Sequence, residues 1–173
     1  MSEQQKNSIV KEQQKTKPKI DEIIPIYLDG ESKQSLIELL EFCRVNEIKA
    51  KWSATNRWKF VYKKSGVGMI YIGARPCLPN GRDYKKNQWF ITVNIAEDFV
   101  IRENLTEVIH KNVLLCVRGQ KNCLKREIST VLGKEYINAC NAAGSMYANP
   151  NAESLECIKR ILKFRIDLIA SNL

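Results

Sequence analysis

The 173-residue sequence predicts an α+β fold: an antiparallel meander sheet with helices packed on one of its faces. Three observations lead there. The run RWKFVYK (57–63) alternates, with Trp58, Phe60 and Tyr62 pointing one way and Lys59, Val61 and Lys63 the other, which is the period of a half-buried strand. Strand-like runs follow one another through residues 50–95 with turns rather than helices between them, as in a meander. From Leu155 to Ile169 the apolar residues recur at helical spacing.

Taken in order, residues 1–19 are dominated by Gln, Lys, Glu, Asn and Ser. They hold too little apolar surface to offset ordering entropy, so a disordered polar tail or a loose helix is expected, with residues 20–173 as one α+β domain. The segment IDEIIPIYL reads as an extended arm or edge strand, because Pro25 has no N–H to give to a ladder. A helix is expected from about Ser32 to Asn46, with Leu36, Leu39, Leu40 and Cys43 on its apolar face and Ser32 as N-cap. The strands KAKWSAT, RWKFVYK and VGMIYIG follow, then a loop over 73–87 with two prolines and two glycines, then the strand QWFITVNI. Asn104 and Glu107 suggest a capping box for a helix over 104–115 carrying Leu105, Val108, Ile109 and Val113. Residues 117–126 read as a polar loop. EISTVLGKEYINAC is broken by Gly133 and fits a hairpin or a short helix. The last helix is capped by Asn149 or Asn151, with Pro150 near its first turn and Glu153 and Glu156 near its start.

Composition excludes several classes. No run approaches the roughly 18 uncharged apolar residues of a membrane helix, so no membrane association is expected. The N-terminus shows no apolar run behind its first charges, so no secretory signal is expected. Six cysteines without a CxxC pair then fit a reducing, cytoplasmic setting in which most are small buried hydrophobes. Net charge is +9, and residues 61–90 carry six cations against one acid. Such a local field attracts phosphates, acidic ligands or nucleic acid.

No catalytic constellation stands out, and the chain is not expected to be an enzyme. The one histidine, His110, has no nucleophile placed beside it by the sequence. GxSxG, HExxH and DxDxDG runs are missing. Gly66-Val67-Gly68 and Gly133-Lys134 are turn glycines, not phosphate loops.

Three binding readings remain. Trp52, Trp58, Phe60, Tyr62, Tyr71, Trp89 and Phe90 cluster on the expected strands, and a core needing only filling more often uses Leu, Ile and Val. This favours a non-enzymatic, small-molecule-binding or regulatory domain with a pocket lined by Trp58, Tyr62, Tyr71 and Trp89. The alternative is a nucleic-acid-binding module using Arg75, Arg82, Lys85 and Lys86 of the loop 73–87, since basic residues beside aromatics suit single strands. A further alternative is a zinc-supported scaffold on Cys116, Cys123, Cys140 and Cys157, although zinc ligands usually come in close pairs and no cofactor is the expectation. The final helix has an apolar arc wider than one sheet contact requires. The surplus could pack on the helix 32–46 or on a second copy, and a homodimer is expected.

Two stretches, KWSATNRWKFVYKKSGVGMIYI (51–72) and ANPNAESLECIKRIL (148–162), resemble small bacterial domains of the YdhG-like and GyrI-like effector-binding groupings. The resemblance implies an α+β sandwich and small-molecule binding, and transfers no catalytic residue. An acidic group for a cationic effector would have to be Glu97, Glu107 or Glu135.

Overall fold

The structure, a computed structural model, describes residues 3–73, 86–113, 128–137 and 146–172. In chain order the elements are α1 (Glu3–Thr16), α2 (Ile20–Tyr27), α3 (Gly30–Val45), β1 (Lys49–Ala54), β2 (Arg57–Tyr62), β3 (Ser65–Ile72), β4 (Trp89–Val93), α4 (Glu97–Arg102), α5 (Thr106–Lys111), β5 (Ile128–Val131), β6 (Lys134–Ile137), β7 (Met146–Ala148) and α6 (Ala152–Ser171). The α+β class is as the alternation predicts. Strands β1 to β4 pair antiparallel in chain order and β7 adds to β4, giving the sheet β1-β2-β3-β4-β7, while β5 and β6 form a separate hairpin.

The register sorts the side chains by face. Trp52, Trp58, Ile70, Ile91 and Tyr147 stand opposite one another across the five strands, and all but Trp52 are fully or almost fully buried. Helix α6 covers this face with Leu155, Ile158, Ile161, Leu162 and Ile166, and α3 adds Leu36, Leu39, Leu40 and Cys43, all in one core cluster. Each such side chain contributes about 1.5–3 kcal/mol when fully buried. Gly68 permits the close approach of β3 to the backbone of β4. A Cβ there would stand 2.8 Å from the Thr92 carbonyl oxygen and 3.9 Å from Leu162 Cδ2.

Several elements differ from the sequence reading. The IDEIIPIYL segment is helical over α2, not extended. Ile20, Ile23, Ile24 and Tyr27 form a buried i, i+3, i+4, i+7 face, and Pro25 lies on the exposed side. The Lys19 N–H donates to Glu22 Oε2 at 3.1 Å and helps start it. Within residues 1–19, where disorder or a loose helix is expected, the structure holds helix α1, which is joined to the sheet by a polar contact. The Gln13 side-chain amide donates to Asn56 Oδ1 at 2.5 Å, and its Oε1 accepts from the Asn56 N–H at 2.8 Å. Helix α3 begins at Gly30, after Asp29, and the Ser32 hydroxyl donates instead to the Asn87 carbonyl at 3.3 Å. The helix expected over 104–115 is present as α5, starting at Thr106, and a separate short helix, α4, precedes it; Asn104 takes a positive φ of 55° and turns the chain between the two instead of capping α5. The Gly133 segment is a hairpin, with Leu132 and Gly133 at φ 47° and 78°, the signs a type I′ turn requires.

Helix α6 starts as expected. Asn151 Oδ1 accepts the Ser154 N–H at 2.9 Å. Its wide apolar arc is taken up within the chain by the sheet, α3 and α5, and by Phe99 of α4, which stacks on Phe164 at 4.2 Å between ring centroids. Leu168, toward the end of the helix, stays exposed at 40%. No helix among the described residues is long and apolar enough to cross a membrane.

Two asparagines tie the strand ends to the helices. The Asn87 N–H donates to the Tyr27 carbonyl at 2.7 Å, and Asn87 Oδ1 accepts the Asp29 N–H at 2.8 Å. Asn149 Nδ2 donates to the Asn87 carbonyl at 2.8 Å, while Asn149 Oδ1 accepts the Trp89 N–H at 2.8 Å. Both residues have positive φ, 56° and 40°, which Asn tolerates better than most. Asn149→Ala deletes both side-chain bonds and leaves the Trp89 N–H without its acceptor. It is expected to cost about 1–3 kcal/mol, read as a lower urea midpoint with unchanged slope.

Candidate functional site

The face of the sheet turned away from α6 is built by the other half of each alternation. On β1 it carries Lys49, Lys51 and Ser53, all exposed, and on β2 Arg57, Lys59 and Val61. The register carries these rows onward. Lys51 stands opposite Lys59, which stands opposite Met69, then Thr92 and Met146. Arg57 stands opposite Tyr71, then Phe90 and Ala148. Phe90 and Met146 are buried and form a second, smaller cluster with half-buried Tyr71 and Ala148. One half of this face is thus cationic and the other apolar and aromatic.

The charge here is unbalanced. Residues 48–73 contain Lys49, Lys51, Arg57, Lys59, Lys63 and Lys64 and no Asp or Glu. Elsewhere several cations find carboxylates: Arg44 with Asp21 at 2.7 Å, Lys159 with Glu38 at 2.6 Å, Lys163 with Asp167 at 2.8 Å, and Arg160 with Glu103. Among the described residues no ion pair or side-chain hydrogen bond involves Lys49, Lys51, Arg57 or Lys59. Arg57 is half-buried, and its Nε is buried without a partner. Lys59 runs its stem across Gly66, where an added Cβ would collide with Lys59 Cε, so its ammonium is carried along the sheet surface.

The residues singled out from sequence are dispersed. Trp58 and Trp89 are both 0% exposed and belong to the core. Trp58 Nε1 donates to the Pro18 carbonyl at 3.0 Å, while Trp89 Nε1 is buried without a partner. Tyr62 is half-buried on the same inner face, and Tyr71 lies on the opposite one. The four do not converge on one space. Of the loop cations, Lys86 is exposed, and Arg75, Arg82 and Lys85 lie outside the described residues, as do Cys116, Cys123 and Cys140. Cys157 is buried, with its sulfur 3.6 Å from Tyr147 Oη. Among the described residues no group of three or more His, Cys, Asp and Glu could hold a metal. Lys49, Lys51, Arg57 and Lys59 were not singled out. Their signal was present in the strand alternation read together with the acid-free interval 48–73.

Two clefts open elsewhere. One, of about 530 Å³, has Phe42, Phe99 and Phe164 among its lining residues with Lys159, Arg160 and Lys163 around them. The other, of about 400 Å³, lies between the end of β4 and the β5–β6 hairpin, with Asn94, Glu97 and Thr130 in its wall. Neither is lined by Trp58, Tyr62, Tyr71 or Trp89. His110 Nδ1 lies 2.8 Å from Tyr136 Oη, a half-buried contact joining α5 to the hairpin.

Comparison of the chain with protein-family models, with curated proteins and with solved structures found no match.

The two described thiols sit in the core on either side of the α3–α6 contact. Burial pushes the Cys43 thiol from the ordinary 9.0 up to about 12, against a smaller opposing pull from Arg44. Burial also raises Cys157, opposed by the Tyr147 hydrogen bond and by Arg160. A thiol held protonated by the fold contributes its stability fully below the unfolded value near 9 and loses it as the pH climbs toward 12. Urea unfolding across that window is therefore expected to show a steeper loss of stability in the native sequence than in Cys43→Ala. Equal slopes would show that Cys43 does not titrate with unfolding.

Proposed function

We propose that the protein binds nucleic acid through the outer face of its sheet, with Lys49, Lys51, Arg57 and Lys59 as the phosphate contacts. The observation that carries this reading is the row Lys51–Lys59. Two like charges directly opposite on neighbouring strands destabilise a sheet, and among the described residues no carboxylate pairs with either of them. An edge strand is often protected by lysines, which accounts for Lys49 and Lys51 on β1. It does not account for Arg57 and Lys59, which lie on the interior strand β2. A bound chain of phosphates supplies the missing counter-charge to all four. The binding reading thus keeps the basic character noted in the loop 73–87 and moves its centre onto the sheet, whose Tyr71 and Phe90 rows lead into that loop through Gly73 and Gln88.

Small-molecule binding is a second reading, favoured by the cleft floored by stacked Phe99 and Phe164. Its cations are already paired with Glu38, Glu103 and Asp167, so its ligand would be chiefly apolar and its affinity nearly independent of salt.

Neutralising four phosphates releases their counterions, giving a slope of log K against log salt of about −3 on a single strand at roughly −0.7 per contact. Lys51→Glu and Lys59→Glu should each weaken binding of a labelled oligonucleotide at least about tenfold at low salt and make the slope shallower by about one contact. Both sites are exposed, so the thermal midpoint should hold or rise as the like-charge opposition is removed. Binding that is insensitive to salt, or unchanged in both variants, would remove the reading.

A further inference from the structure

Resting on that reading of the outer face, we infer that the nucleic acid it takes is single-stranded, laid with its phosphates along β1 and β2 and its bases over Tyr71 and Met69 of β3. The argument is one of order across the sheet. Moving along either row, charge comes first and apolar surface second: Lys51 and Lys59 before Met69, and Arg57 before Tyr71. Neighbouring strands are about 4.8 Å apart, so the cations of β2 and the tyrosine ring of β3 are one strand spacing from each other. A single strand has the same order in cross-section, with phosphate on one edge and an unstacked base on the other. A duplex turns its base faces inward and offers phosphates along its outside. It would engage the four cations and leave Tyr71 and Met69 facing nothing suited to them.

Shape points the same way. The major groove admits a helix or a two-stranded ribbon, whereas β2 and β3 lie inside a five-stranded sheet and cannot be inserted. Tyr71 is braced for stacking. It is half-buried between Arg57 across one strand pairing and Phe90 across the other, and it packs against the Phe90–Met146 cluster. Phe90 itself is only 5% exposed, so Tyr71 is the ring on this face that a base can reach among the described residues. Stacking on one aromatic is sequence-tolerant, because every base has a π-face. The recognition expected is therefore of strandedness, with little base preference.

The full chain is titrated by fluorescence anisotropy against a labelled single strand of about 12 nucleotides, the same sequence as a duplex, and, by competition, inorganic polyphosphate and phosphatidylserine vesicles. The single strand is expected to bind tightest at equal salt. Tyr71→Ala should weaken the single strand roughly 5- to 100-fold, the loss of one stacked base, and leave the duplex and polyphosphate unchanged, while Tyr71→Phe keeps the affinity. Circular dichroism of each variant checks the fold, and the comparison of probes on the native sequence needs no variant. Duplex, polyphosphate or vesicles binding as tightly as the single strand would overturn this inference, as would an equal effect of Tyr71→Ala on every probe. In those outcomes a persisting loss on Lys59→Glu leaves the charged face standing. Absence of salt-dependent binding to every probe defeats both.

Discussion

The row Trp58, Ile70, Ile91 and Tyr147 is the contact on which the rest of the molecule depends. These side chains stand at one height across four strands and present a continuous apolar surface to α6. A strand alternates with period two, so a slip of one residue would exchange its faces entirely. Burying Trp58 thus turns Lys59 and Arg57 outward, and burying Ile70 does the same to Met69 and Tyr71. The composition of the outer face is a consequence of the packing on the inner one. Gly68 belongs to the same constraint, since any side chain there would strike the Thr92 backbone of the neighbouring strand.

Polar contacts finish what the apolar row begins. Strand β7 has only three residues and meets the sheet through β4 alone. Asn149 extends that pairing beyond the last strand residue, joining Trp89 and Asn87, and Asn87 carries the connection on to the α2–α3 junction at Tyr27 and Asp29. Tyr147 reaches from the same strand to Cys157 of α6. At the other side of the molecule, Gln13 and Asn56 lock α1 to the tip of the β1–β2 hairpin, which is why a helix with almost no apolar face is ordered there. Asn56 Nδ2 remains buried without a partner, so that lock uses the side-chain oxygen and the backbone N–H of Asn56 and neither of its side-chain amide hydrogens.

What was legible in the sequence follows from this division. The meander and α6 could be read because each shows its period over many residues: Trp58, Phe60 and Tyr62 in one case, Leu155 to Ile169 in the other. Helix α2 was obscured by Pro25, although Ile20, Ile23, Ile24 and Tyr27 already marked a helical face. Proline forbids a hydrogen bond at one position and says nothing of the four that pack. Helix α1 carries no period to read, since a Gln–Asn contact between residues 13 and 56 leaves no local trace. The aromatic cluster pointed to a pocket because large rings suit both pockets and cores. Only the register decides, and it sends Trp58 to the inner face and Tyr71 to the outer.

The charged face leaves its mark in the sequence as alternating cations in an interval without acids, from Lys49 to Lys64. Charge summed over blocks of sequence drew attention to the loop 73–87, where cations are adjacent in the chain. On strands the relevant neighbours are across the ladder, not along it. Lys51 and Lys59 are eight residues apart in sequence and opposite each other in the sheet. Local rules would place an acid at one of these positions, since an opposite-charge pair across a ladder stabilises by about 0.2–1 kcal/mol where a like pair does the reverse. Natural sequences break such rules chiefly where a function requires it. The apolar half of the same face stays within those rules, with Phe90 and Met146 buried. Among the described residues the like-charge opposition is confined to β1 and β2, beside the half-buried ring of Tyr71, and the burial of the apolar row on the inner face holds all of these side chains on the outer one.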